Sequence, residues 1–172
     1  MKDYIKPVAI MAAVSFIVGL LMSAISNITA PLIKANEESE KNRTYFAALP
    51  DAGSFTELEC GIEGVTAVQK AGNGEGYVIT AQSRGYGGQV PAAVAFSNDG
   101  SIIRVIMMSN EETPGLGQKV TDEAFSSQFD GIPAEAFTLD DIDAIAGATI
   151  SSRAAVKAIN LAIEAYTEVT AG

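Results

Sequence analysis

Residues 90–109 read VPAAVAFSNDGSIIRVIMMS, and this stretch decides the fold class. Two apolar runs of strand length, rich in β-branched residues, flank Ser97–Gly100. The Asp99–Gly100 pair tolerates the positive φ angles that a tight hairpin requires. Working backwards, GVTAVQK (64–70) and EGYVITAQS (75–83) are two further runs of the same kind, separated by glycine-rich breaks. The spacing predicts an antiparallel meander over 64–109. The pattern changes downstream: GQKVTDEAFSSQF (117–129) reads as a short helix and SSRAAVKAINLAIEAYTEV (151–169) as a longer one. Val156, Ile159, Ile163 and Tyr166 share one stripe of that longer helix. Strands followed by helices place the chain in the α+β class, an antiparallel sheet with flanking helices.

Upstream of the sheet, PVAIMAAVSFIVGLLMSAISNI (Pro7–Ile28) contains no charged side chain. Its length matches the roughly 30 Å hydrocarbon thickness of a bilayer at about 1.5 Å per residue. It also exceeds the roughly 7–15 apolar residues of a cleaved signal sequence, so residues 1–30 read as a retained transmembrane anchor. Pro31 then opens a connector helix over 31–50 that Pro50 stops, leaving 51–172 as the domain. Lys2 and Lys6 precede the span and Lys34, Lys41 and Arg43 follow it. The free amino terminus adds charge on the short side, so the expectation is a single-pass cell-membrane protein with a cytoplasmic start and its domain on the extracytoplasmic face.

Composition narrows the chemistry. Among 172 residues there is no histidine, no tryptophan and one cysteine, Cys60. Zinc, haem and iron–sulfur sites are thereby excluded as expectations, and no metal ligand set is proposed. A net charge of −10 argues against a nucleic-acid partner, whose phosphates demand basic surface. GNGEG at 72–76 precedes a strand rather than a helix, the wrong context for a dinucleotide fingerprint, and no phosphate loop with lysine occurs.

Three short stretches carry the remaining signal. In DAIAGATISSRAAV (143–156), Thr149, Ser151 and Ser152 sit where the last helix begins. Their hydroxyls suit a helix cap, and the unpaired N–H groups of a helix start equally suit an anion such as phosphate. The small residues Ala146, Gly147 and Ala148 would let a bulky ligand approach the backbone. ETPGLGQK (112–119) joins a Pro–Gly turn to the end of the most apolar strand, and serves as a turn or as a loop facing a ligand. RGYGGQV (84–90) sets Tyr86 between glycines, as a stacking residue or a turn filler.

In this order, after one amino-terminal span, GYGG (85–88), ETPGLG (112–117) and DAIAGATISSRAAV (143–156) resemble the flavin-carrying G subunits of Rnf electron transport complexes. That family is related to the C subunit of the sodium-pumping quinone reductase, and the resemblance covers nearly the whole chain. It implies an FMN-binding domain with one covalent FMN, esterified through its phosphate to the hydroxyl of Thr149. Gly147 and Ala148 match the family's attachment motif, with Ser151 and Ser152 beside them. Asp143 matches the acidic residue by which a flavin transferase recognises its target, and Ala146 departs from a common serine. Glu112, Thr113, Pro114, Gly115, Leu116 and Gly117 would form a loop beside the flavin, with Tyr86 and Leu116 bordering its ring.

The implied function is a membrane-anchored electron carrier in a complex coupling ferredoxin:NAD electron transfer to ion translocation. No residue is expected to be catalytic in its own right, and the subunit turns over no substrate independently. Lys119 and Arg153 are the nearest cations in sequence that could favour negative charge on a reduced flavin. The implied partners are the other membrane subunits, a flavin transferase during maturation and membrane lipid. A C-subunit-like flavoprotein and an anchored binding domain without redox function are the alternatives.

Overall fold

The structure is a computed structural model. It describes residues 2–171, with the side chains at 2–6, 9, 31, 32, 34, 35, 37 and 38 outside the description. Lys2, Lys6 and Lys34, used above to orient the span, are among those side chains. The chain divides into two compact units, residues 1–42 and 43–172.

The first unit is helical. Within α1 (Lys2–Ala48), the segment Ile10–Ala30 is long and apolar enough to cross a membrane. No separate connector helix begins at Pro31, because α1 runs through that position to Ala48. Proline's ring removes one hydrogen bond and crowds the preceding turn, costing about 3 kcal/mol in a helix interior, and in this chain it does not end the helix. Pro50 does mark the stop: Leu49 leaves helical geometry and Pro50–Ala52 forms a 3-10 turn.

The second unit is built on an antiparallel sheet in the order β1 (Phe55–Leu58), β2 (Val65–Ala71), β3 (Gly76–Arg84), β4 (Gln89–Ser97) and β5 (Ile102–Met107). The expected meander is present, with β1 as an edge strand the sequence did not announce. The Ser97–Gly100 turn forms as read: Gly100 has φ 85°, and Asp99 Oδ1 accepts the Ser101 N–H at 3.1 Å. These bonds hold the Asp99 carboxyl below its ordinary pKa, the Ser97 and Ser101 hydroxyls contributing most.

Both faces of the sheet are covered, which explains why β4 is apolar at nearly every position. Val90, Ala92, Val94 and Phe96 face α3 (Thr149–Ala171), packing with Ala155, Ala158, Ile159, Ala162 and Ile163. Ala93 and Ala95 face the other way, onto Tyr45, Ala48, Leu49 and Ala52. Alanines on α3 bring the helix close to the sheet, and Tyr166 stacks on Phe96 with ring centroids 4.6 Å apart. The Tyr166 hydroxyl donates to the Ser97 carbonyl at 2.8 Å.

The single helix expected over 117–129 is broken into a 3-10 turn (Gly117–Thr121), α2 (Glu123–Ser126) and a second 3-10 turn (Ser127–Phe129). Asp122 between the first two is extended, with ψ 139°. Val120, Phe125 and Phe129 are all buried, and their spacing does not fall on one face of a continuous helix.

Candidate functional site

Three loops meet at one end of the sheet. The first is the tip of the β3–β4 hairpin, closed by the Gly85 N–H donating to the Gly88 carbonyl at 2.8 Å. The second follows β5: the Leu116 N–H donates to the Thr113 carbonyl at 3.1 Å and Gly115 has φ 73°. Pro114 and Gly115 thus occupy the two central positions of a turn that needs positive φ at the second. The third is the lead-in to α3. There the Asp143 N–H donates to Gln128 Oε1 at 2.7 Å, Gln128 Nε2 donates to the Asp143 carbonyl at 3.3 Å, and the Ile145 N–H donates to Ser152 Oγ at 3.0 Å.

Glu112 joins the three. Its side chain is 1% exposed; Oε1 accepts the N–H groups of Gly87 at 2.8 Å and Gly88 at 3.3 Å, and Oε2 accepts the Ser151 hydroxyl. Burial pushes its pKa up, but the Ser151 hydroxyl and the N–H groups of Gly87, Gly88 and Tyr86 outweigh it, and the carboxyl stays below its ordinary value.

Above this junction opens a cavity of about 500 Å³, lined by Tyr86, Thr113, Leu116, Gly117, Gly147, Ala148, Thr149, Ile150 and Ser151. Tyr86 is 72%, Leu116 41% and Ile150 52% exposed, so its rim is apolar. α3 begins at Thr149, preceded by Ala148, which has no side-chain oxygen to cap the helix. Among the described residues, no acceptor meets the N–H groups of Thr149, Ile150 or Ser151, which is the arrangement of an anion-binding helix start.

The hydroxyls of the GATISS segment divide. Ser151 and Ser152 are buried and committed to Glu112 and to the Ile145 N–H, whereas Thr149 is exposed and lines the cavity. Of the residues singled out in the sequence, Tyr86, Thr113, Leu116, Gly117, Gly147, Ala148, Thr149 and Ser151 meet there. Glu112 and Ser152 lie beneath it, and Gly115 sits at the exposed tip of its turn. Asp143 and Lys119 line a separate cavity of about 260 Å³ with Asp122 and Gln128, and Arg153 is exposed on α3 without lining either cavity. Ile150 was not anticipated. Its signal was available: it is an isoleucine on the helix face that otherwise carries the exposed Arg153, Lys157 and Glu164.

The FMN-binding domain family matches residues 85–164, an interval containing every residue that lines the cavity. The G subunit of the proton-translocating ferredoxin:NAD(+) oxidoreductase complex of Clostridium ljungdahlii is 34% identical over 164 residues, spanning 91% of this chain and 88% of its own. The chain belongs to the G-subunit family of the Rnf-type ion-translocating oxidoreductases. A second G subunit, from the ion-translocating oxidoreductase complex of Methanosarcina acetivorans, is 29% identical over 177 residues, covering 95% of this chain and 94% of its own. The fold recurs in the C subunit of the Na(+)-translocating NADH-quinone reductase of Parabacteroides distasonis, with a TM-score of 0.52, 20% identity, and 63% and 62% of the two chains covered. G-subunit membership selects among the alternatives raised by the sequence motifs.

Proposed function

We propose that this G subunit is a membrane-anchored electron carrier holding one FMN, esterified through its phosphate to Thr149 Oγ, in a complex that couples ferredoxin:NAD electron transfer to ion translocation. The observation that carries the reading is the division of hydroxyls. Of the three in GATISS, Thr149 faces the cavity, while Ser151 and Ser152 are buried and engaged.

The residues present fit FMN. The unpartnered N–H groups at the start of α3 would receive the phosphate oxygens, and Thr149 supplies the hydroxyl beside them. Tyr86, Leu116 and Ile150 offer apolar walls for a ring, in a cavity whose size lies within the usual range for small-molecule sites. Bound there, FMN would supply electron transfer in one- and two-electron steps, while the protein contributes placement and electrostatics. Among the described residues, no carboxylate, lysine, arginine or cysteine lines the cavity, so independent substrate turnover is not expected of this subunit.

The anchor is Ile10–Ala30, with lipid around it, a cytoplasmic amino terminus and the domain from Arg43 onward on the extracytoplasmic face. Its partners are the other membrane subunits, and a flavin transferase that reads Asp143 during maturation. Protein co-expressed with a flavin transferase, then denatured and washed, should fluoresce and gain the mass of one FMN ester. Thr149→Val should abolish both signals and Thr149→Ser should keep part of them, since a hydroxyl oxygen is required for the ester. Covalent flavin surviving in the valine variant would falsify the assignment.

A further inference from the structure

A buried carboxylate with no cationic partner is costly unless every oxygen is satisfied. Glu112 is such a group: among the described residues it is held by the Ser151 hydroxyl and by backbone N–H groups of the β3–β4 tip, those of Gly87 and Gly88 at hydrogen-bond distance, with no ion pair. We propose that Glu112 is the positioning residue of the flavin site, acting through Ser151 to set the direction in which Thr149 and the free N–H groups of α3 point. This rests on the FMN reading above.

The geometry of the first helical turn supports it. Successive helical residues are about 100° apart, so side chains two positions apart point to nearly opposite sides. Seating Ser151 inward on Glu112 therefore turns Thr149 outward to the cavity. No capping side chain does this work, because Ala148 precedes the helix.

The glycines of two loops make room for the same carboxylate. A Cβ on Gly85 would lie 2.5 Å from Glu112 Oε1. One on Gly117 would lie 2.6 Å from Ser151 Oγ and 3.0 Å from Glu112 Cβ. Real Cβ atoms do not approach that closely, so GYGG and ETPGLG are glycine-rich in part to admit Glu112. The backbone of Glu112 is itself held, its N–H donating to Asn110 Oδ1 at 3.1 Å. One carboxylate thus ties residues 25 and 39 positions away in sequence into a single frame.

The test uses the full-length chain in detergent with a purified flavin transferase and a flavin dinucleotide donor, whose phosphoanhydride bond breaks and whose mononucleotide half leaves as the Thr149 ester forms, comparing Glu112→Gln, Ser151→Ala and the double variant. Initial rates of covalent flavin appearance are read by fluorescence of the denatured polypeptide. Each single variant should slow attachment on the order of tenfold, the scale of a hydrogen bond to a charged group. The double variant should be no slower than the slower single one, because glutamine weakens, by removing its charge, the same Glu112–Ser151 bond that Ser151→Ala deletes. Ile163→Val, a core change remote from the site, should lower the melting temperature and leave the attachment rate unchanged.

Amide exchange on the unloaded chain gives a second readout: Glu112→Gln should expose Gly87 and Gly88 to faster exchange. Wild-type attachment rates in both single variants, or losses that multiply in the double, would overturn the proposal. So would an equal loss of rate in a core variant of matched melting temperature. Should Glu112→Gln not fold, Ser151→Ala decides alone, since attachment at the wild-type rate there excludes the role. If the wild-type chain takes no covalent flavin, the FMN reading fails; unchanged exchange at Gly87 and Gly88 then separately rejects the frame.

Discussion

Gly117→Ala adds one methyl group at the point where the second loop passes α3. Gly117 is buried and does not have a positive φ, so the backbone suits alanine and the penalty comes from the contacts of the new methyl group. The new Cβ would stand 2.6 Å from Ser151 Oγ, 3.0 Å from Glu112 Cβ and 3.0 Å from Glu112 Oε2. Overpacking of a filled site costs about 1–3 kcal/mol, and displacing the Ser151 hydroxyl forfeits part of a charged hydrogen bond worth about 1.5–3 kcal/mol. Alanine's smaller unfolded-state entropy returns about 0.4–1 kcal/mol. The net is a loss of about 2–4 kcal/mol, lowering the melting temperature on the order of 10 °C for a domain of this size. Gly61→Ala is the internal control: it has no atom within 4 Å of the new Cβ, so stability should hold or rise slightly. The assay is urea denaturation of the full chain in detergent, followed by tyrosine near-ultraviolet dichroism, because Tyr45, Tyr77 and Tyr166 are buried in the domain. Gly117→Ala within about 0.5 kcal/mol of wild type would show that the Glu112–Ser151 junction is looser than drawn, and the reasoning would be wrong.

Tyr166→Phe keeps the ring stacked on Phe96 and removes the bond to the Ser97 carbonyl. That carbonyl also accepts the Gly100 N–H at 3.3 Å, so the loss should be about 1 kcal/mol and visible as a shift in the urea midpoint at unchanged slope. The depressed pKa of Glu112 gives acid sensitivity of definite sign. Its stabilisation is full above the unfolded value near 4.5 and is lost as pH falls through the lower folded value. Glu112→Gln should therefore flatten part of the acid limb of a stability-against-pH curve, and an unchanged limb would count against the ionised buried carboxylate. Ile150→Ala should change stability by no more than about 0.5 kcal/mol, since the side chain is exposed. It should nevertheless raise iodide quenching of flavin fluorescence by opening one wall of the cavity.

The central strands were legible because their apolar runs are long, and covered faces on both sides make β4 almost uniformly hydrophobic. β1 was not: FTEL is four residues at the sheet edge with its middle two exposed, too short and too polar to stand out. Pro31 suggested a helix start by a rule that describes preference, and the continuous α1 shows a proline kept inside a helix. At the site, the residue types were readable and their grouping was not. Glu112 looked like part of a flavin-facing loop, but its carboxylate turns down to Ser151, 39 positions away, and no local pattern encodes that. The separate fates of Thr149, Ser151 and Ser152 depend on the helix starting at Thr149, two residues before the quoted helical stretch began. A shift of that size changes which hydroxyl faces out.

Among the described residues, the donors that the cavity offers to an anion are backbone N–H groups rather than basic side chains. Neither Lys119 nor Arg153 lines it, and Lys119 sits in the neighbouring cavity with Asp122 and Asp143, whose negative charges oppose its field. The unpartnered N–H groups of Thr149, Ile150 and Ser151 carry no titratable proton in the working range. An anion held by them is therefore held at constant strength as pH rises, unlike one held by histidine or a shifted lysine. Lys119→Ala should accordingly leave the flavin midpoint potential and its pH dependence unchanged, measured by spectroelectrochemical titration of the loaded chain. A shift of about 30 mV or more, the size of a tenfold change for a two-electron couple, would mean that Lys119 reaches the flavin after all. The backbone origin of the field would then have to be given up.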